Sequence, residues 1–186
     1  MKVLYIERST GEGRNGDWAE SLDLEGVGRI VVGTGPGSFA GIRSALAFAQ
    51  GYALGSTCEV LGLPSPCAVA AQVYSDGRAD FPLAVVGDAR RGKFWIALFD
   101  GLKLVCPVFQ VDKDLLATRV PLSAKVATPD AERIDAVLRE AFDERYMGGI
   151  KPTADGLKAF AEANPSILAP EPLPIYLNPA VRPPNG

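Results

Sequence analysis

The sequence predicts a mixed α/β fold with two lobes, and three observations support this prediction. Apolar strands alternate with helical segments up to residue 75, whereas a β-hairpin opens the part that follows. A polar segment with an Asp-Gly pair, residues 75–80, separates the two parts. Glu7 and Asp88 each end an apolar strand and precede a polar turn with glycine, as expected of two related lobes. We therefore expect a first lobe over residues 1–79 and a second over residues 80–186.

The first lobe is expected to contain three strands and two helices. Runs of apolar residues predict strands over 3–6, 29–33 and 59–63. Residues 11–28 hold no apolar run of that kind and predict an irregular connector with one short turn. A helix is expected from Phe39 to Leu54. A second helix is expected to begin after Ser65 as its cap, with a proline in its first turn.

The second lobe is expected to begin with a hairpin and to continue with helices. The strands of the hairpin are predicted over 82–88 and 93–100, with a possible third over 102–111. The helices are predicted over 112–117, 130–142 and from Thr153 to about Ala163. From Pro170 onward, six prolines in 17 residues predict an extended tail that packs as a strap around 175–177.

Composition and charge exclude several classes of function. The 19 Lys and Arg against 22 Asp and Glu give a net charge of −3, which excludes a strongly basic nucleic-acid binder. The chain has no histidine, which excludes Ser-His-Asp and Cys-His catalysis and histidine-based zinc ligation. Its three cysteines are odd in number and lack a CxxC spacing, so we expect buried free thiols. No signal peptide or membrane span is expected, and these features predict a cytoplasmic protein with no metal.

The most informative segment is the glycine-rich loop over residues 33–43, GTGPGSFAGIR. Gly33, Gly35, Gly37 and Gly41 allow close approach of another group, and Pro36, Ser38 and Arg43 complete the candidate site. Amides at a helix start attract anions, so a contact with phosphate or with a partner is one interpretation. The other is a tight strand-to-helix turn with close packing, and chemistry alone leaves both open. The P-loop is excluded because no lysine follows Gly41, and the dinucleotide fingerprint is matched only loosely.

Small residues line the helix that follows this loop in two rows. Gly41, Ala45 and Ala49 form one row, and Ala47 and Gly51 belong to the other. Such rows let another backbone approach closely. The partner is either an element of the same lobe or a helix of another protein.

Three segments resemble the bacterial TsaB family, also called YeaZ. Residues 31–54, VVGTGPGSFAGIRSALAFAQGYAL, resemble the family segment GxGPGSFTGxRxG and the small-residue helix after it. Residues 85–99, VVGDARRGKFWIALF, resemble its DARRGEVYxAxF hairpin, and residues 172–181, PLPIYLNPAV, resemble its PxYLR segment. The chain is identified as a member of this family on these segments.

The resemblance implies a two-lobed fold like that of the actin-like ATPases, with mixed sheets flanked by helices. It also implies a role in making N6-threonylcarbamoyladenosine in tRNA as a non-catalytic partner of a TsaD-type protein, together with a TsaE-type ATPase. Family members self-associate through the surface that docks TsaD, so a homodimer is expected in isolation. The family has a hairpin and a long helix where only residues 11–28 stand here, so the first lobe is expected to be shortened.

The charged cluster of Asp88, Arg90 and Arg91 leaves an enzyme as the alternative. Catalysis by this cluster would require a second carboxylate, for which Glu7 is the candidate. If the cluster is instead a solvated hairpin tip, its charges need no further partner. The enzyme alternative is a nucleotide-binding member of the actin-like ATPase and sugar kinase superfamily. We expect no cofactor of the chain's own, although ATP can lie at a partner interface. We also expect no independent affinity for tRNA.

Overall fold

The computed structural model has two mixed sheets flanked by helices, and it describes residues 1–11, 16–75 and 81–177. The strands are β1 (Lys2–Ile6), β2 (Val27–Gly33), β3 (Glu59–Leu63), β4 (Pro82–Arg90), β5 (Lys93–Asp100), β6 (Lys103–Asp112), β7 (Lys125–Thr128), β8 (Tyr146–Gly149) and β9 (Ala169–Pro170). The helices are α1 (Phe39–Leu54), α2 (Pro66–Val73), α3 (Leu116–Arg119), α4 (Ala131–Phe142) and α5 (Ala154–Ala163).

The first sheet has the strand order β1-β2-β3-β9, in which the first three strands are parallel and β9 is antiparallel to β3. Its central strand β2 is apolar on both faces because both faces are covered. Ile30 and Val32 pack with α1, whereas Val31 points into the core on the opposite face. The burial of both faces explains why residues 30–32 of this strand are all apolar.

The second sheet has the order β6-β5-β4-β7-β8. β4, β5 and β6 form an antiparallel meander, and β7 and β8 are added to β4 in parallel. α4 covers one face, where its Leu138 and Phe142 pack with Val126 of β7. Parallel pairing brings the carboxyl ends of β4 and β7 to the same edge of the sheet.

α2 and α5 lie between the two sheets and join them through one core. That core combines Val31 and Leu63 of the first sheet with Val85 and Phe99 of the second, and α5 contributes Phe160. The two helices cross closely at Gly156 of α5, where a methyl group would press on the carbonyl oxygen of Ala68 in α2. The central layer is therefore tightly packed, and the loops at the carboxyl ends of the strands form the candidate site.

The structure confirms most of the elements predicted for the first lobe. The long helix over Phe39–Leu54 and the strand over Glu59–Leu63 have the predicted bounds, and the connector contains one short 3₁₀ turn, Gly16–Ala19. The predicted capping role of Ser65 is wrong. Its hydroxyl makes no capping bond to α2 and accepts instead from the N–H of Gly35 at 3.0 Å.

The second lobe differs more from prediction. The helix expected over 112–117 is a short 3₁₀ turn that continues into α3, and the strands β7 and β8 were not predicted. The expected boundary between residues 79 and 80 lies outside the described residues and stays a prediction.

After the second sheet the chain returns to the first one, since α5 contacts β1 and β9 pairs with β3. Among the described residues, no helix has the length and apolar character needed to cross a membrane.

Candidate interlobe site

The glycine-rich loop packs directly against the loop that follows β1. A methyl group at Gly33 would overlap the carboxylate of Glu7, and one at Gly37 would overlap the carbonyl oxygen of Ser9. The N–H of Ser38 donates to that same Ser9 oxygen at 2.5 Å. At Gly41, the carbonyl oxygen of Arg8 occupies the corresponding space. Close packing between these two loops thus accounts for three of the glycines.

The carboxylate of Glu7 lies inside this contact. Oε1 accepts from the N–H of Ser9 at 2.7 Å, whereas Oε2 is enclosed and has no hydrogen-bond partner, although the residue as a whole is partly exposed. Burial raises the pKa of Glu7, and polar contacts with Ser9 and Ser65 oppose this only in part. The carboxylate is consequently held in an environment that disfavours its charge.

The second lobe contributes an ion-pair network at the end of β4. Arg133 of α4 donates to Asp88 at 2.9 Å and also pairs with Asp130, whose other oxygen accepts from the N–H of Asp88 at 2.8 Å. Arg90 pairs with Asp88 at 3.2 Å. Burial raises the pKa of Asp130, which the hydrogen bond from Asp88 and the charge of Arg133 partly offset. Asp88 is therefore tied to α4, whereas Arg90 and Arg91 at the tip of the hairpin are exposed.

Asp130 and Arg133 were missed as site residues by the sequence analysis, which identified Asp130 only as part of a helix start. They were missed because the strand β7 was not predicted. β7 pairs in parallel with β4, and this pairing places Asp130, two residues after β7, beside Asp88. The short apolar run before Thr128-Pro129-Asp130 is the signal from which this neighbour can be inferred.

A cleft of about 460 Å³ lies between the loops of the two lobes. Its lining includes residues of the β1 loop, the glycine-rich loop, the β4–β5 hairpin, the start of α4 and the tail, namely Ser9, Thr10, Gly37, Ser38, Phe39, Asp88, Arg90, Asp130, Arg133, Lys151 and Tyr176. Its cations are matched by carboxylates, because Lys151 pairs with Glu132 at 3.3 Å in addition to the pairs of Arg90 and Arg133. The cleft is thus polar but locally neutral.

The tail crosses this cleft as an extended strap, residues 171–177, as predicted. The N–H of Ile175 donates to the carbonyl oxygen of Thr34 beside the first sheet at 2.9 Å. Gln110 of the second sheet donates to the carbonyl oxygen of Leu177 at 2.6 Å. The strap is in this way bonded to both lobes, and residues from 178 onward lie outside the described part of the chain.

The structure separates the predicted site residues into distinct groups. Pro36, Gly37, Ser38, Asp88 and Arg90 line the cleft. Arg43 and Arg91 are exposed, while Gly33, Gly35 and Gly41 are buried in the loop contact.

On α1, Ala47 and Gly51 are exposed, whereas Ala45 and Ala49 are buried against the first sheet. The row through Gly41, Ala45 and Ala49 therefore packs inside the lobe and is not accessible to a partner helix. Among the described residues, no three His, Cys, Asp or Glu side chains come together as a metal site.

Comparison with solved structures gives the class of this fold. YeaZ from Pseudomonas aeruginosa superposes with a TM-score of 0.65 over 87% of this chain and 80% of that chain, at 20% identity. A second structure, described as an uncharacterized protein with similarity to peptidase YeaZ from Pseudomonas aeruginosa, gives 0.67 over 89% and 80% at the same identity. The chain accordingly has the actin-like ATPase fold that YeaZ has.

Sequence comparisons agree with the structural ones. A family model described as tRNA N6-adenosine threonylcarbamoyltransferase, TsaD, matches residues 19–108. The Escherichia coli tRNA threonylcarbamoyladenosine biosynthesis protein TsaB is 34% identical over 73 residues, which is 39% of this chain and 31% of that protein. An uncharacterized protein of Mycobacterium tuberculosis is 32% identical over 96 residues, which is 51% of this chain and 43% of that protein. The matched part thus spans less than half the length of these relatives, and the sequence and structure comparisons both find similarity to TsaB and YeaZ proteins.

Proposed function

We propose that this chain is the non-catalytic, TsaB-type partner of a TsaD-type protein in the N6-threonylcarbamoyladenosine modification of tRNA. A TsaE-type ATPase is the third component of this proposal, and the cytoplasm is the compartment. The partner supplies the catalytic groups, and any ATP binds to the partner or where the two proteins meet. The sequence similarity to curated TsaB proteins supports this role.

The closed contact between the β1 loop and the glycine-rich loop is the observation that supports a non-catalytic role for this chain. In a nucleotide-binding cleft, backbone amides of such loops must be available to phosphate oxygens. Here the N–H of Ser9 donates to Glu7, that of Gly11 to Arg8, and that of Ser38 to Ser9. These three amides are satisfied internally and are not available to a phosphate group.

Docking of the partner is proposed on the outward face of α1. Ala47 and Gly51 are exposed there, and a methyl group at Gly51 would meet no atom within 4 Å. Leu54 at the end of the same helix is 91% exposed. Small residues beside an apolar helix end permit close approach of a second helix, in the homodimer and in the complex with the TsaD-type protein.

Reconstitution tests this function directly. The chain is mixed with the TsaD-type and TsaE-type proteins of the same genome, unmodified tRNA, ATP and a donor of the threonylcarbamoyl group. Modified adenosine is then measured by mass spectrometry of the digested tRNA. We expect modification only when this chain is present, and no ATP hydrolysis by the chain alone. Modification that is independent of the chain would refute the proposal.

The alternative is a nucleotide-binding enzyme of the actin-like superfamily, and the size of the cleft favours it. A cleft of about 460 Å³ lies in the range of small-molecule sites. ATP turnover by the purified chain that disappears in Asp88→Ala would support this alternative.

A further inference from the structure

Two exposed aromatic rings meet at the mouth of the cleft. Phe39, the first residue of α1, and Tyr176 of the strap are each 52% exposed, and they are the only aromatic side chains among the large exposed apolar residues of the described chain. Their ring centroids lie 5.6 Å apart although the residues are far apart in sequence. Since about half of each residue is exposed, another planar group can approach the two rings.

A cation completes this cluster. The guanidinium of Arg43 lies 4.9 Å from the centroid of Phe39, one helical turn further along α1. Arg43 forms no ion pair with any carboxylate of the described residues, in contrast to Arg90, Arg133 and Lys151 in the cleft. Its charge is consequently available to an anion that approaches the rings.

The backbone that carries each ring is anchored before any ligand binds. Tyr176 lies between two anchored neighbours, because the N–H of Ile175 is bonded to Thr34 and the carbonyl of Leu177 to Gln110. Phe39 follows Ser38, whose hydroxyl caps α1 by accepting from the N–H of Gly41. A preorganised platform loses little conformational entropy on binding.

The geometry points to Arg43, Phe39 and Tyr176 as a binding site for an unstacked nucleobase, with Arg43 contacting its phosphate. Aromatic rings and stacked guanidinium groups are the features that bind single bases. The base can come from a free nucleotide or from a single-stranded loop of RNA. This inference rests on the proposed function, in which the substrate is tRNA and the modified adenosine lies in such a loop.

One base contact agrees with the expected lack of independent tRNA affinity. A single stacked base changes affinity by roughly 5-fold to 150-fold. Without further phosphate contacts from an acidic chain, this gives only weak binding by the chain alone. In a complex whose other subunit also holds the RNA, the same contact increases the overall affinity and positions the loop.

The first experiment follows the ring resonances of Phe39 and Tyr176 by NMR during titration with adenosine monophosphate or a synthetic anticodon stem-loop RNA. We expect the stem-loop to shift both rings at millimolar or lower concentration, and adenosine monophosphate to do so more weakly. Tyr176→Ala abolishes the shift at Phe39, and Tyr176→Phe retains it because the ring is kept. Leu173→Ala is the matched control, since Leu173 lies on the same strap and is exposed. Shifts with adenosine monophosphate alone support the base site and assign it to a free nucleotide.

The second experiment measures RNA affinity and modification with the reconstituted complex. Tyr176→Ala and Arg43→Gln are expected to weaken RNA binding about tenfold, while Tyr176→Phe and Leu173→Ala leave it unchanged. If the complex modifies tRNA but neither ligand shifts the rings and Tyr176→Ala has no effect on RNA binding, the base site is refuted and the proposed function stands. If the rings shift but the chain does not support modification, the proposed function fails and the base site stands. Loss of partner association in Tyr176→Ala, with unchanged ring shifts of Phe39, assigns the cluster to a protein contact and overturns the inference.

Discussion

The carboxylate of Glu7 lies against the α-carbon of Gly33, at the point where β1 and β2 leave the first sheet side by side. Any side chain at position 33 would occupy the space of this carboxylate. The pair links the β1 loop to the glycine-rich loop and thereby fixes one wall of the cleft.

Gly33→Ala tests this close contact. The added methyl group overlaps a buried carboxylate that cannot move without losing its bond from Ser9, so we expect a loss of about 1–3 kcal/mol in the free energy of unfolding. The matched control is Gly51→Ala on the exposed face of α1, where nothing lies within 4 Å of the added atom. This control is expected to stabilise the protein by about 0.5–1 kcal/mol, because alanine favours the helix. Urea denaturation of both variants measures the difference, and equal effects would contradict the close contact.

Glu7→Gln tests the electrostatic cost of the same carboxylate. Because burial raises the folded-state pKa of Glu7 above its ordinary value of 4.5, the favourable contribution of this group is complete below pH 4.5 and is lost as the pH rises through the folded pKa. At pH 7 the variant is therefore expected to be more stable than the original chain, by about 1 kcal/mol. The gain should shrink as the pH falls towards 4.5.

Thermal melts at several pH values measure this difference. Glu132→Gln is the control, since that side chain is 79% exposed and should show no comparable dependence on pH. A destabilised Glu7→Gln protein at pH 7 would mean that the charged carboxylate is required by the loop contact.

Periodicity predicted the first lobe well because its elements are long or strongly apolar. The strand over 59–63 and the helix over 39–54 have continuous patterns that local physics determines. The role of Ser65 was not predictable in the same way, because a serine before a proline has the same local pattern whether it caps the helix or bonds to Gly35. Only the tertiary contact distinguishes these two roles.

The second lobe and the site were less predictable because they depend on pairing between distant segments. β7 and β8 have four residues each, too few for periodicity to distinguish them from loops. The position of Asp130 beside Asp88 follows from the parallel pairing of β7 with β4, and the contact of Tyr176 with Phe39 follows from the path of the strap. The sequence indicated the hairpin and the extended tail but not their neighbours.

Arg133→Ala tests the ion-pair network at the end of β4. Removal of the guanidinium leaves Asp88 and Asp130 close together, each with a side chain only 15% exposed, so their repulsion is expected to cost about 1–2 kcal/mol. Arg139→Ala is the control on the same helix, because its pair with Asp135 is an exposed i,i+4 contact that contributes little to stability. Denaturation at pH 7 distinguishes the two. An equally small effect of both substitutions would show that the network adds nothing beyond a surface pair.

Substitutions on the two faces of α1 test the docking proposal. Ala49 is fully buried against the first sheet, so Ala49→Leu should overpack the monomer and lower its free energy of unfolding by about 1–3 kcal/mol. Ala47 is exposed on the opposite face, so Ala47→Leu should leave the monomer's melting temperature nearly unchanged.

If the outward face packs against a second helix, the larger side chain should weaken self-association and binding to the TsaD-type protein by about 1–3 kcal/mol. Thermal melts at low concentration report the monomer, and analytical ultracentrifugation over a range of concentrations reports association. Unchanged association of Ala47→Leu and of Gly51→Leu would exclude this face as the interface, and a chain that stays monomeric and does not bind the TsaD-type protein would contradict the proposed scaffold role itself.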